Sequence, residues 1–196
     1  MTDAYRFDES STEQAIAYAK IYAGENYSPA METVLKVAFS EKRNLPTFRL
    51  KSSDTILLSG YMKKWVGAYL AGYNNRPSVR TGNCSGTHPD PMAKTILRAR
   101  ISGLEDNLAD KIVARHSLLM TIENNIGELL EEYLSVKLSP LGWYCCWGST
   151  IDAVDFCKAD GSLLQIKTSD NSENSSSSRV RQGTPIGKWF RRFSRR

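Results

Sequence analysis

The sequence predicts a mixed α/β fold, with an all-helical N-terminal region followed by a small sheet. Three observations point there. Residues 11–138 carry helical spacing and helix punctuation over most of their length. Residues 143–147, Trp-Tyr-Cys-Cys-Trp, read as a first strand, with Gly148-Ser149 as a break after it. Residues 150–167 then read as a β-hairpin. An apolar run from Ile151 to Cys157 leads into a turn at Ala159-Asp160-Gly161, and a second run, Leu163 to Ile166, follows.

The helices can be taken in order. Ser11 with Gln14 three residues later resembles a capping box, opening a helix over 11–23. Ser28-Pro29 opens a second, with Met31, Val34, Leu35 and Ala38 at helical spacing and Asn44-Leu45-Pro46 as its end. A third is expected from Ser53 or Asp54 to Ala71, with Gly72 as its stop. Residues 74–91 form the longest irregular stretch; its Arg76 and Arg80 mark it either as a plain connector or as a loop reaching nucleic acid. His88 there has no acidic or thiolate partner nearby in the sequence. Asp90-Pro91 repeats the cap-and-proline signal and starts a helix through Ile101. Another is expected over 103–115, and a longer amphipathic one over 117–138. Leu118, Leu119, Ile122, Ile126, Leu129, Leu130, Tyr133 and Leu134 form its stripe, and Glu123, Glu128, Glu131 and Glu132 decorate it.

The hairpin carries the chemistry. Asp152 and Asp155 lie on its first strand, and Gln165 and Lys167 on its second. Residues two apart on a strand share a face, so Gln165 and Lys167 point together and the first strand folds an acid back beside them. An acid, a second oxygen ligand and a lysine on adjacent strands suit a hard cation that activates water.

Composition narrows the remaining classes. With 196 residues, 41% of them hydrophobic, the chain can bury one core. A formal charge of +5 and a pI near 9.0 suggest a polyanionic partner. From Arg179 onward there are seven basic residues and no acid. Cys84, Cys145, Cys146 and Cys157 show no zinc-type spacing and read as buried free thiols. No apolar leader opens the chain, and no stretch approaches the roughly 20 apolar residues that span a bilayer, so an intracellular protein without a membrane partner is expected. Residues 168–178, Thr-Ser-Asp-Asn-Ser-Glu-Asn-Ser-Ser-Ser-Ser, read by composition as a linker. Thr184-Pro185 caps an expected last helix, with Ile186, Trp189, Phe190 and Phe193 on one face and basic residues over the rest. Such a helix suits DNA, a membrane surface or a protein partner.

The pattern Asp-spacer-Gln-x-Lys after a glutamate-bearing helix resembles the PD-(D/E)xK nucleases. Longer words narrow it. His-Pro-Asp-Pro-Met (88–92), Gly-Glu-Leu-Leu-Glu-Glu-Tyr-Leu (127–134), Val-Asp-Phe (154–156), Leu-Leu-Gln-Ile-Lys (163–167), Asn-Ser-Glu-Asn-Ser-Ser-Ser-Ser (171–178) and Lys-Trp-Phe-Arg (188–191) are similar to SinI-type type II restriction endonucleases. The resemblance covers roughly residues 80–194. It implies a restriction-endonuclease-like mixed sheet flanked by helices, with a helical region over 1–102 and a nuclease core over 103–196, together one compact unit. It further implies a Mg2+-dependent, cytoplasmic enzyme cutting double-stranded DNA at a short palindrome of the GGWCC kind. A two-fold homodimer and a cognate DNA methyltransferase come with it. Asp155 would be the principal metal carboxylate, with Asp152 the runner-up because pleating sets the two on opposite faces. Gln165 stands where most relatives of the wider fold carry an acid, so an acid from the preceding helix, Glu131 rather than Glu128, would complete the set. Lys167 would orient or deprotonate the attacking water. Ser175, Ser176, Ser177, Arg179, Arg181, Lys188 and Arg191 would bind DNA. A further helical segment would follow Arg196, which makes this chain a shortened relative, either active or DNA-binding without cleavage.

Overall fold

The computed structural model describes residues 7–48, 57–80, 91–168, 183 and 185–191. The expected helix start at Ser53 or Asp54, His88, and the serine run with Ser175, Ser176, Ser177, Arg179 and Arg181 lie outside the described residues. Five α-helices and four strands are described: α1 (Thr12–Ala23), α2 (Pro29–Ser40), α3 (Leu58–Asn74), α4 (Pro91–Arg100), α5 (Asp106–Leu138), β1 (Trp143–Cys145), β2 (Phe156–Lys158), β3 (Leu163–Thr168) and β4 (Ile186–Arg191). This is the mixed α/β architecture with a helical N-terminal region that the sequence predicts.

Helix starts follow local chemistry. The Ser28 hydroxyl accepts from the Met31 N–H at 3.2 Å, and Pro29 occupies the first turn of α2, where no donor is needed. At α1 the expected Ser11 cap makes no side-chain bond. The capping group is Asp8, which accepts from the Ser10 N–H and opens a 3-10 turn ahead of the helix. In α3, Tyr61, Met62, Trp65, Val66 and Tyr69 are buried at helical spacing. Trp65 also donates its indole N–H to the Thr150 carbonyl at 2.9 Å, tying α3 to the loop ahead of β2.

Gly72 does not stop α3, which continues to Asn74. It is glycine because the backbone after β1 crosses it: a Cβ at Gly72 would lie 2.4 Å from the Gly148 nitrogen.

The sheet order is β1-β2-β3-β4, with the first two pairings antiparallel and β3–β4 parallel. Pleating sends successive β3 side chains to opposite faces. Leu163 joins a core built on α1, α2 and α3. Leu164 and Ile166 join a second core under Leu130, Leu134 and Leu138 of α5. The sheet is therefore covered on both faces, as a parallel pairing demands.

Three expectations are corrected. The helices expected over 103–115 and 117–138 are one continuous helix, α5. His116-Ser117 weakens helix propensity only slightly, and no proline interrupts the stretch. The first hairpin strand is shorter than expected. Residues 151–155 turn, with Ala153 at φ 57°, and β2 starts at Phe156. The turn lets Ile151 and Val154, three residues apart, both enter the core beneath α1–α3, whereas a strand would split them between faces. The expected basic helix at 186–196 is, over Ile186–Arg191, strand β4. Its apolar and aromatic residues fit either period, and tertiary pairing with β3 decides. The interaction-module reading that depended on an amphipathic helix there falls with it.

Candidate active site

β2, β3 and α5 position the hairpin residues. The turn Lys158–Ser162 is closed by Lys158 and Ser162 and by the Asp160 carboxylate, which accepts from the Ser162 N–H at 2.9 Å. The register pairs Phe156 with Leu164, so that one residue further back Asp155 stands across from Gln165. Asp155 is held from three sides. Its N–H donates to the Leu164 carbonyl at 3.0 Å, its carbonyl accepts from the Cys146 N–H at 2.8 Å, and its Oδ2 accepts from the Ile166 N–H at 2.6 Å. The backbone of Asp155 is thus bonded on both sides, and its carboxylate is anchored to β3.

Glu131 reaches the same place from α5. Burial, and then the negative charge of Asp155, push its carboxyl up to about 7, while Lys167 pulls it down. Burial, Glu131 and Asp155 likewise hold the thiol of neighbouring Cys145 high, so β1 borders the group too. Gln165 is buried, and its Oε1 makes no hydrogen bond among the described residues. An orphaned buried acceptor is costly; here it lies on a strand facing Asp155. Asp152 is not part of the group. Its N–H donates to the Asn44 carbonyl, burial raises its carboxyl, and neither Asp155 nor Glu131 contributes. Glu128 forms an ion pair with Arg80 and lines the same cleft as Glu131.

No set of three His, Cys, Asp or Glu side chains suited to a metal occurs among the described residues. The donor set is instead two carboxylates and an amide. Their oxygens suit a hard divalent cation, and the charge of Asp155 is felt at Glu131, while the Gln165 oxygen across from Asp155 in the register is buried without a hydrogen bond among the described residues. The residues present therefore fit a hard divalent cation.

A cleft of about 220 Å³ opens beside Glu131, lined also by Gly72, Arg76, Arg80, Trp147 and Gly148. Sequence reasoning singled out Arg76 and Arg80 but not their pairing with α5. Arg76 pairs with Glu132 at 3.4 Å and lies 4.2 Å from the Tyr73 ring centre; the Ser78 N–H donates to Glu132 at 2.9 Å. The two arginines thus fasten the end of α3 to α5 in this structure. Acids spaced four apart on α5, against arginines four apart in the preceding loop, were the available signal. Of the expected DNA contacts, Lys188 lies on β4 in register with Gln165, and Arg191 in register with Thr168.

Glu131 makes the protein's stability dependent on pH. Its carboxyl titrates higher in the folded chain than the ordinary 4.5, so the folded state holds the extra proton between about pH 4.5 and 7. Stability is then full below that window and falls as pH rises through it, by about 3 kcal/mol at most. Thermal unfolding in EDTA is expected to show this decline. Glu131→Gln should remove it, and the same variant should be more stable than the parent at pH 8.

Asp155 stands in register with a Gln-x-Lys strand of a mixed sheet, and Glu131 approaches from the helix packed on it. The chain belongs to the SinI restriction endonuclease family, whose family model matches residues 52–196. Over 115 residues it is 46% identical to the type II restriction enzyme SinI of Salmonella infantis and 44% identical to the type II restriction enzyme Eco47I of Escherichia coli. Each alignment covers 56% of this chain and 50% of the relative, so the chain spans about half the length of the curated relatives it matches.

Proposed function

We propose that this chain is a type II site-specific deoxyribonuclease that hydrolyses phosphodiesters of double-stranded DNA at a short palindrome of the GGWCC kind. The observation that supports the reading is that Glu131 of α5 is buried within reach of the charges of Asp155 and Lys167, while the strand register sets Asp155 across from Gln165. Asp155, Gln165 and Glu131 would hold Mg2+; Asp152 is set apart by its turn. The ion, when bound, would acidify a water and offset charge on the phosphate oxygens. Lys167 orients the attacking water or takes its proton, and its ammonium faces the charge that develops on the phosphate. Lys188 and Arg191 on β4, next to the catalytic strand, contact phosphates. Ser175, Ser176 and Ser177 bond phosphate oxygens, and Arg179 and Arg181 pair with phosphate or guanine edges.

A palindromic target favours a two-fold homodimer. Self-protection of the host genome calls for a cognate DNA methyltransferase, and such a pair works in the cytoplasm. No helix among the described residues is long and apolar enough to cross a membrane. The test is digestion of plasmid DNA carrying GGWCC sites, with Mg2+ and with EDTA. Discrete fragments that vanish in EDTA are expected. Retarded but uncut DNA would mark a binding protein without cleavage, and no retardation at all would sink the reading.

A further inference from the structure

We propose that α5 carries a second, outward seam through which two copies of this chain pair antiparallel about a two-fold axis. α5 buries two sides within its own chain. Leu130, Leu134 and Leu138 pack on the sheet. Near its start Ala109 is buried, and Lys94 and Arg98 of α4 pair with Asp106 and Asp110. A third side remains exposed, from 46% at Ile122 to 68% at Val136, with Leu119, Leu129 and Tyr133 between.

Those residues belong to a strict seven-residue repeat. Positions 112, 119, 126 and 133 alternate with 115, 122, 129 and 136. Steps of three and four sustained over more than three heptads form a coiled-coil seam, about 36 Å long. All eight positions are apolar or aromatic except Arg115. None of the residues that face the sheet or α4 falls on it. Glu131 lies two positions before a seam residue, on the far side of the helix, so a partner here leaves the cleft open.

The occupant that fits is another α5. No other helix among the described residues is long enough to span the seam. Turned antiparallel about an axis level with residue 124, Ile122 meets Ile126, Leu119 meets Leu129, Ile112 meets Val136, and Arg115 meets the ring of Tyr133. The lone guanidinium thus meets an aromatic residue, whose ring the Lys137 ammonium also approaches, 5.7 Å from its centre. A parallel alignment would instead set Arg115 against its own copy. The two-fold symmetry rests on the reading of a palindrome-cutting enzyme and deepens it by giving the contact surface and register.

Sedimentation equilibrium of the full chain is expected to show a dimer. Ile122→Glu should weaken it about a hundredfold or more, with helix content unchanged, since Ile122 is half exposed in the single chain, and with the concentration dependence of the parent's thermal unfolding lost. Under oxidising conditions Leu119→Cys/Leu129→Cys should give a covalent dimer, with Leu119→Cys alone and the parent as controls that do not. A monomeric parent, a dimer indifferent to Ile122→Glu, or cross-linking by Leu119→Cys alone would overturn the proposal. Plasmid digestion runs alongside: a monomer that still cuts leaves the nuclease reading intact, and a cross-linked dimer that never cuts removes that reading but not the seam.

Discussion

Asp155→Asn is expected to slow DNA cleavage about a thousandfold while thermal unfolding stays close to that of the parent. Asparagine keeps an oxygen to accept from the Ile166 N–H, now 2.6 Å from Asp155, so the strand geometry persists. What is lost is the charge that Glu131 feels. Lys167→Ala should fall as far. Combining the two should cost little more than either, because groups that act on one phosphodiester do not add. Cleavage time courses in Mg2+, with gel retardation in Ca2+ to show that binding survives, separate chemistry from affinity. A parental rate in Asp155→Asn would move the metal-holding role elsewhere in the fold.

Gly148→Ala is expected to destabilise the protein by about 2–4 kcal/mol. Gly148 sits at φ +69°, and a Cβ there would lie 2.0 Å from the Ala68 carbonyl oxygen and 2.5 Å from its carbon. Both obstacles are helix backbone, which cannot rotate aside. Gly142 provides the comparison. Its φ is +78°, yet nothing lies within 4 Å of its added Cβ, so Gly142→Ala should cost about 1 kcal/mol from backbone strain alone. Thermal melts of the two variants divide the effect between strain and collision. Equal losses would mean that α3 and the loop after β1 separate easily.

How much was legible in the sequence follows from the range of the forces involved. The Ser28-Pro29 start, the hairpin turn and the Gln-x-Lys strand are local patterns, and they stand where the sequence put them. Glu131 was preferred over Glu128 on motif alone; in the structure both line one cleft, with Glu131 feeling the charge of Asp155 and Glu128 paired with Arg80. The failures are long-range. β4 became a strand because β3 offered an edge to pair with, which a window of eleven residues cannot reveal. Residues 151–155 turned because Ile151 and Val154 had to reach one core, and that core is built by helices far earlier in the chain. Gly72 was read as a stop because its contact, Gly148, lies far away in the chain.

The parallel pairing of β3 with β4 also orders events during folding. Residues 169–185 must be brought round before Ile186 can meet Leu163, and loop closure of that kind is slow compared with forming helices from neighbouring residues. Gln165 and Lys167 lie on the strand that this last docking completes. After dilution from denaturant, far-ultraviolet ellipticity should therefore recover first and nuclease turnover later, with a delay that lengthens when Gly187 is replaced by a bulkier residue crowding the Leu163 carbonyl, 3.3 Å from an added Cβ.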